Sequence, residues 1–154
     1  FADEAIYVIC NSGMKNTIAR KIYERVMDAL KVGKPAASAF GHAGKAAAIQ
    51  RIWDSRDAYF EAFNLAPDKL AQLARLPWIG EITKYHLAKN FGLDLAKPDV
   101  HLQRLAEREH TTPQALCERL ARESGYRVAT VDTILWRACA NGILNSRTGE
   151  IAAI

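Results

Sequence analysis

Apolar residues recur every three or four positions along most of the chain, which is the spacing of a buried helix face. One such face carries the apolar residues Ile18, Ile22, Val26 and Leu30. No stretch alternates polar and apolar residues convincingly, as a half-buried strand would. The pattern, with the glycines and prolines that interrupt it, predicts helices over Ala2–Cys10, from about Ile18 to Leu30, Lys45–Trp53, Asp57–Phe63, Asp68–Leu73, Glu81–Phe91, Asp99–Glu109, from Pro113 up to Gly125, and from Val128 up to Gly142.

About ten short helices with brief links predict an all-α fold. We expect one core over residues 1–154, built of two lobes. The break at Gly33–Pro35 marks a boundary, and the last helices are expected to return to the first lobe. Lobe A then covers about residues 1–33 plus 126–154, and lobe B covers about residues 35–125.

The charge balance permits a nucleic acid as partner without requiring one. The chain has 21 Lys and Arg against 17 Asp and Glu, a net charge of +4 and an isoelectric point near 9.1. On charge alone, a mildly basic solvated surface is the better interpretation. No apolar run approaches the roughly 20 residues of a membrane helix, so we expect no membrane partner. No signal peptide is recognisable, and a start at Phe1 rather than at methionine suggests that an N-terminal piece is missing.

The cysteines Cys10, Cys117 and Cys139 are odd in number and far apart in the sequence. Without a C-x-x-C spacing, neither a zinc site nor an iron–sulfur cluster is expected. Cys117 and Cys139 fall on apolar helical faces, which predicts buried thiols. A reducing, intracellular location fits this usage, in the cytoplasm or associated with a nucleoid.

A tight turn, Leu76-Pro77-Trp78-Ile79-Gly80, joins two predicted helices. The first N–H groups of the second helix lack helical partners and, with the helix dipole, attract an anion. Gly80 would let a phosphate approach the backbone, while Leu76 and Ile79 would hold the turn to the core. Thr83 and Lys84 fall in the first turn of the second helix. An ordinary helical hairpin without a ligand gives the same pattern, so this segment alone does not separate the two interpretations.

Asp99 begins a helix within Lys97-Pro98-Asp99-Val100-His101. By itself, an aspartate at such a place is more often an N-cap than a catalytic group. A carboxylate there could also stabilise positive charge on a sugar as its base departs, and could orient or deprotonate a water.

The turn and the Asp99 segment together resemble the helix-hairpin-helix-GPD superfamily of base-excision DNA glycosylases, in which many hairpins read LPGIG or LPGVG. Here Trp78 replaces the first glycine of that pattern. The resemblance implies a helix-hairpin-helix core, Asp99 as the catalytic residue, a monomer, and double-stranded DNA containing a damaged base as partner. It implies phosphate contacts from the hairpin, Pro77 included, and from His101. We expect further phosphate contacts from the basic side chains of Arg20, Lys45 and Lys84. It implies no organic cofactor, and it allows a monovalent cation, Na⁺ or K⁺, on the carbonyls of Ala74, Leu76 and Ile79.

Family members that also cut the strand carry a lysine six residues after the hairpin leucine, where it forms a Schiff base with the sugar. That position is Ile82 here. Lys84 lies two residues later, about 200° around the helix at about 100° per residue, and should not point into the same pocket. The departure implies a glycosylase whose lyase activity is weak or absent.

The break between the first two helices resembles the start of the core of 8-oxoguanine DNA glycosylase and of endonuclease III. In those enzymes the break fills the gap that a flipped base leaves in the duplex. The matching residues are Asn11, Ser12, Gly13 and Met14. A plain polar turn containing a glycine gives the same pattern.

The last predicted helix carries Asp132 and Trp136 four residues apart, so they share a face. The resemblance implies a base pocket in which Trp136 stacks on the extruded base and Asp132 accepts N–H groups from a guanine-type edge. A surface aspartate beside a tryptophan at the core edge is about as good an interpretation. Trp53 is a second aromatic candidate, for which a core position is the better interpretation. We therefore favour an oxidised or guanine-type purine as substrate. The alternatives are alkylated purines, modified pyrimidines, or a catalytically silent DNA-binding module.

Overall fold

The computed structural model of the protein describes residues 1–152. Within that range the regular structure consists of nine α-helices and a 3-10 turn at Ala36–Ser38, and the bridged pair Leu144 and Ile151 belongs to no named strand. The helices are α1 (Ala2–Asn11), α2 (Asn16–Lys31), α3 (Ala43–Asp54), α4 (Arg56–Leu65), α5 (Lys69–Leu73), α6 (Thr83–Asn90), α7 (Val100–Arg108), α8 (Pro113–Ser124) and α9 (Val128–Ala140). The all-α fold predicted from the sequence is confirmed.

Local capping explains where α8 begins and ends. At the start of α8, the Thr112 hydroxyl accepts the Ala115 N–H at 3.2 Å, and Pro113 occupies the first turn, where its missing N–H costs nothing. The same helix ends at Gly125, whose φ of 75° is the left-handed conformation that glycine adopts without strain. These signals are neighbours in sequence, so the bounds of α8 could be predicted.

The chain divides into two compact units, and the division falls inside α6. The first unit runs from Phe1 to Leu87. Its core forms where α1 packs against α2 and α3, and the largest fully buried side chains include Ile6, Ile9, Ile49 and Ile52. Ile18, predicted on the apolar face of α2, is instead exposed, and the neighbouring Ala19 is buried.

The second unit runs from Ala88 to the end of the chain. Helices α7, α8 and α9 pack on one another around a core made of Ala96, Leu102, Cys117 and Val131. Ile134, predicted on the buried face of α9, is 48% exposed, and the polar residue Asp132 is buried on that helix instead. The predicted pairing of the two chain ends in one lobe stays a prediction.

All three cysteines are buried free thiols, as predicted for Cys117 and Cys139. Burial raises the pKa of Cys117 to about 12. Among the described residues, none of the helices combines the length and apolar character needed to span a bilayer.

Candidate nucleic-acid interface and active centre

The turn between α5 and α6 is an ordered hairpin held by its own backbone. The Leu76 N–H donates to the Leu73 carbonyl at 3.1 Å, and the Ile79 N–H donates to the Leu76 carbonyl at 3.1 Å. Leu76 and Ile79 are both buried, so the predicted anchoring of the turn by these two side chains is confirmed. Pro77 and Trp78, between them, form the tip of the turn.

Trp78 occupies a left-handed backbone conformation, with φ of 67°. This conformation strains any residue with a Cβ, and glycine normally occupies it. The side chain packs within the first unit: its ring meets the His42 ring edge to face, with centroids 5.3 Å apart. A Cβ placed on Gly44 would lie 2.7 Å from the Trp78 ring, so the indole lies directly against the start of α3. Trp78 is still 44% exposed.

Gly80 leaves the start of α6 open. A Cβ built on it meets no atom within 4 Å, so packing within the protein does not require glycine there. The Gly80 carbonyl accepts the Lys84 N–H at 3.0 Å and begins the helical bonding of α6. The open backbone is compatible with the close approach of a phosphate that the sequence predicted.

Lys84 is less available than the sequence suggested. Its ammonium forms an ion pair with Glu81 at 2.5 Å and lies 5.6 Å from the centre of the Tyr85 ring. The hydrogen bond to Glu81 raises the pKa of Lys84. Ile82, at the position of the family's lyase lysine, is 47% exposed and offers no nucleophile.

The hairpin carbonyls of Ala74, Leu76 and Ile79 have free lone pairs that could bind a monovalent cation. The Leu76 carbonyl accepts one hydrogen bond, and a carbonyl oxygen has two acceptor sites. Within the described part of the chain, the carbonyls of Ala74 and Ile79 accept no backbone hydrogen bond. These oxygens would hold the cation, which would stiffen the turn without entering the chemistry.

The predicted wedge is the turn between α1 and α2. The Ser12 N–H donates back to α1, and Met14 N–H donates to the Asn11 carbonyl at 3.0 Å. The Asn11 side chain donates to the Tyr7 carbonyl at 3.2 Å, so its amide is used within α1. Gly13 has φ of 68° and is exposed at the tip with open space around it. The exposed tip is compatible with insertion into a duplex.

Lys45 departs from the predicted phosphate contact, because it is only 4% exposed. Its ammonium donates to the Ser12 carbonyl and lies 5.9 Å from the centre of the Phe40 ring. Burial lowers the pKa of Lys45, and its positive charge acts against the burial that raises the pKa of Cys10 to about 11. Lys45 therefore braces the wedge from inside. Arg20, in contrast, is an exposed residue of α2 that forms a 3.2 Å ion pair with Glu24.

Asp99 is the N-cap of α7. Its Oδ1 atom accepts the N–H groups of His101 at 2.9 Å and Leu102 at 3.0 Å. Both bonds use the same oxygen, which leaves Oδ2 without a hydrogen-bond partner among the described residues. The side chain is half-buried. Burial raises the pKa values of Asp132 and Cys139, and the negative charge of Asp99 adds to both increases. Capping and an accessible second oxygen are thus combined in one residue.

His101 contacts a segment for which the sequence gave no prediction. Its Nδ1 atom lies 3.0 Å from the hydroxyl of Ser146, which is buried. Ser146 belongs to a small hairpin after α9, closed by the bridge between Leu144 and Ile151. The turn residues Asn145 and Gly149 were the available sequence signal for it.

Asp132 is not the free acceptor that the sequence predicted. It is 1% exposed, and its Oδ2 forms an ion pair with the ammonium of Lys89, which also bonds Thr133 Oγ1 at 3.3 Å. Burial raises the pKa of Asp132, and Lys89 acts in the opposite direction. The negative charge of Asp99 also acts on Asp132 and raises its pKa further. Lys89 therefore compensates the charge of one of two neighbouring carboxylates.

Trp136 and Asp132 lie on the same helix but differ in exposure. Trp136 is 45% exposed, whereas Asp132 is buried. A cleft of about 420 Å³ beside α9 has neither residue in its lining, which consists of Lys89, Asn90, Ala129, Thr130, Thr133, Ile134 and Arg137. Trp53, in the first unit, is half-buried, and the Arg56 guanidinium lies 4.9 Å from its ring centre. The sequence had favoured a position in the core for this residue.

Comparison with known proteins finds no matching family model, no matching curated protein and no matching solved structure.

Proposed function

We propose that the protein is a DNA glycosylase that removes a damaged or modified base by hydrolysis in base-excision repair. The observation that carries this proposal is the state of Asp99, a half-buried carboxylate fixed by two backbone N–H groups through Oδ1 alone. These two bonds are those of an N-cap, and they leave Oδ2 without a hydrogen-bond partner among the described residues. The motif around it, and the hairpin at family spacing before it, support the catalytic role.

The chemistry requires one carboxylate. As the bond from C1′ to the base nitrogen breaks, its electron pair leaves with the base and positive charge develops on the sugar. The ionised Asp99 would oppose that charge, and Oδ2 could accept a proton from the water whose oxygen then bonds to C1′. The proton finally returns to the departing base.

DNA would be held through its backbone. The hairpin offers N–H groups at the start of α6 beside an open Gly80, and Trp78 adopts the left-handed conformation that suits the glycine of the family pattern. Trp78 thus keeps a glycine-like backbone conformation at the position where the family pattern has glycine. This agreement supports the helix-hairpin-helix interpretation. Arg20 and His101 remain candidate phosphate contacts.

Strand cleavage is not part of the proposed reaction. Ile82 occupies the position of the Schiff-base lysine, and the ammonium of Lys84 is paired with Glu81. Without a lysine at that position to form a Schiff base, the product would be an abasic site in an intact strand.

The base is the least constrained part of the proposal. We favour an oxidised or guanine-type purine, with the exposed ring of Trp136 as its stacking surface. The ion pair with Lys89 occupies Asp132, so recognition of a guanine edge by this carboxylate would first have to break that pair. Alkylated purines and modified pyrimidines are the alternative substrates, and a silent DNA-binding module is the alternative function.

The proposal is tested by base release from duplex oligonucleotides that each carry one lesion, including oxidised purines, alkylated purines and modified pyrimidines. A glycosylase releases at least one of these bases and leaves an alkali-sensitive abasic site. DNA binding without release from any member of the panel would favour the silent module.

A further inference from the structure

The small hairpin after α9 creates a basic cleft against α7. The cleft has a volume of about 290 Å³ and is lined by His101, Arg104, Cys139, Gly142, Leu144, Asn145, Ser146 and Arg147. Three of these residues can carry positive charge, and none is an aspartate or a glutamate. The carboxylate of Glu150, on the same hairpin, accepts a hydrogen bond from the Thr148 hydroxyl at 3.0 Å. The composition of the lining favours an anion.

The two arginines of the cleft are unpaired. Within the described part of the chain, the guanidinium groups of Arg104 and Arg147 form neither an ion pair nor a hydrogen bond, whereas Arg119 and Arg127 of the same unit both have acidic partners. A guanidinium group has five N–H donors in a planar fork that matches the oxygens of a phosphate. Arg104 and Arg147 therefore keep their full hydrogen-bonding capacity for a ligand.

The walls of the cleft are held in place by contacts that leave these arginines free. Ser146 bonds to His101, and Arg108 donates to the backbone carbonyl of Arg147 at 3.0 Å. Gly149 packs so closely on Arg108 that an added Cβ would lie 2.8 Å from its guanidinium, and its φ of 78° suits glycine. His101 and Arg108 of α7 thus hold the hairpin in place. The guanidinium groups of Arg104 and Arg147 take no part in these contacts.

We propose that this cleft binds a backbone phosphate of DNA through Arg104 and Arg147, with His101 at its edge. The inference rests on the proposed function and deepens it, because it adds the chain after α9 to the DNA-binding surface. A diester carries one negative charge and two free oxygens, which two guanidinium groups can share. Such a contact carries no base information, so it should act equally on damaged and undamaged duplex.

The test is the salt dependence of binding to an undamaged duplex, measured by fluorescence anisotropy for the whole chain and for Arg104→Gln and Arg147→Gln. Because the two guanidinium groups share one phosphate, each single variant should lose part of the roughly 0.9 in log–log slope expected for one phosphate contact, and the double variant Arg104→Gln/Arg147→Gln should lose all of it. Arg122→Gln is the matched control, since Arg122 is an exposed arginine of α8 that does not line the cleft. Inorganic phosphate added at constant ionic strength should compete with DNA for the parent protein, and more weakly for the two cleft variants.

A slope that is unchanged in both cleft variants, or that falls as much in Arg122→Gln, would overturn the inference. Thermal unfolding of each variant serves as the check on folding, and Arg147→Lys, which keeps the charge, should retain the slope if the protein is intact. Base release is measured separately. Binding with the predicted slopes but no release would sink the proposed activity and leave the phosphate cleft standing, while release with unchanged slopes would do the reverse.

Discussion

The rings of Trp78 and His42 meet edge to face at 5.3 Å, and this contact fixes the strained tip of the hairpin on the start of α3. His42 in turn is the N-cap of α3, because its Nδ1 atom accepts the Lys45 N–H at 3.3 Å. The ammonium of Lys45 in turn donates a hydrogen bond to the Ser12 carbonyl in the wedge. The first turn of α3 therefore connects two segments for which we propose contacts with DNA.

Trp78→Gly and Trp78→Ala separate backbone strain from ring packing. Both variants lose the contact with His42, but only alanine keeps the penalty for a left-handed φ. Trp78→Gly should therefore be more stable than Trp78→Ala by about 1 kcal/mol, although glycine is ordinarily the less stabilising residue. Urea unfolding measures the difference. If alanine were as stable as glycine, the left-handed turn would not exist in solution.

Lys45→Met should loosen the wedge more than it destabilises the protein. Methionine fills similar space and removes a buried charge, which offsets part of the lost bond to the Ser12 carbonyl. We expect faster amide hydrogen exchange from Ser12 to Met14, with the free energy of unfolding changed by about 1 kcal/mol or less. Arg20→Met, on the exposed face of α2, is the control. Unchanged exchange at these amides in Lys45→Met would contradict the bracing role.

Lys89→Met should destabilise the second unit strongly at neutral pH, by about 3–5 kcal/mol, because it leaves the Asp132 carboxylate buried without its partner. The double variant Lys89→Met/Asp132→Leu is the matched control and should recover most of that loss. Urea unfolding of the parent and both variants measures these differences. Equal stabilities of the single and double variants would contradict the ion pair.

The loss in Lys89→Met should shrink as the pH falls. Burial raises the pKa of Asp132 above its ordinary value of 3.8, and removal of Lys89 takes away the charge that lowers it. A carboxyl whose pKa is higher in the folded state stabilises the protein below its unfolded pKa, and this contribution is lost as the pH rises through the folded pKa. Unfolding at mildly acidic pH should therefore show a smaller difference between variant and parent. A loss independent of pH would show that Asp132 does not titrate in this way.

The fold could be predicted largely because its signals are local. The bounds of α8 follow from Thr112, Pro113 and Gly125, which lie within the helix or beside it. The ion pair between Lys89 and Asp132 joins residues 43 positions apart, and the bond from Lys45 to Ser12 joins residues 33 positions apart. No periodicity encodes such pairs. Sequence reasoning consequently assigned Asp132 to a base and Lys45 to a phosphate, when each has a partner inside the protein.

The sequence supported two interpretations of Asp99, as an N-cap and as a catalytic carboxylate, and the N-cap role is confirmed. The catalytic role depends on where Oδ2 meets a substrate, which no spacing of residues specifies. The same holds for His101, whose partner Ser146 lies in a segment without helical periodicity.

Strand cleavage should be weak in the parent protein and gained in Ile82→Lys. Borohydride added during turnover traps a Schiff base between a lysine and the sugar, and the parent should give little covalent complex. The exposure of Ile82 leaves room for the longer side chain. Lys84→Ala should not alter trapping. Efficient trapping by the parent that disappears in Lys84→Ala would mean that Lys84 reaches the sugar after all.

The central claim is tested most directly by Asp99→Asn, assayed on whichever lesion the panel shows to be released fastest. Asparagine is as good an N-cap as aspartate and nearly the same shape, so folding and DNA affinity should stay close to those of the parent. Single-turnover base release should fall by a factor of about 10²–10³ or more, the cost of removing a key electrostatic group from a transition state. Release at the parental rate, with binding intact, would show that Asp99 is a helix cap and nothing more.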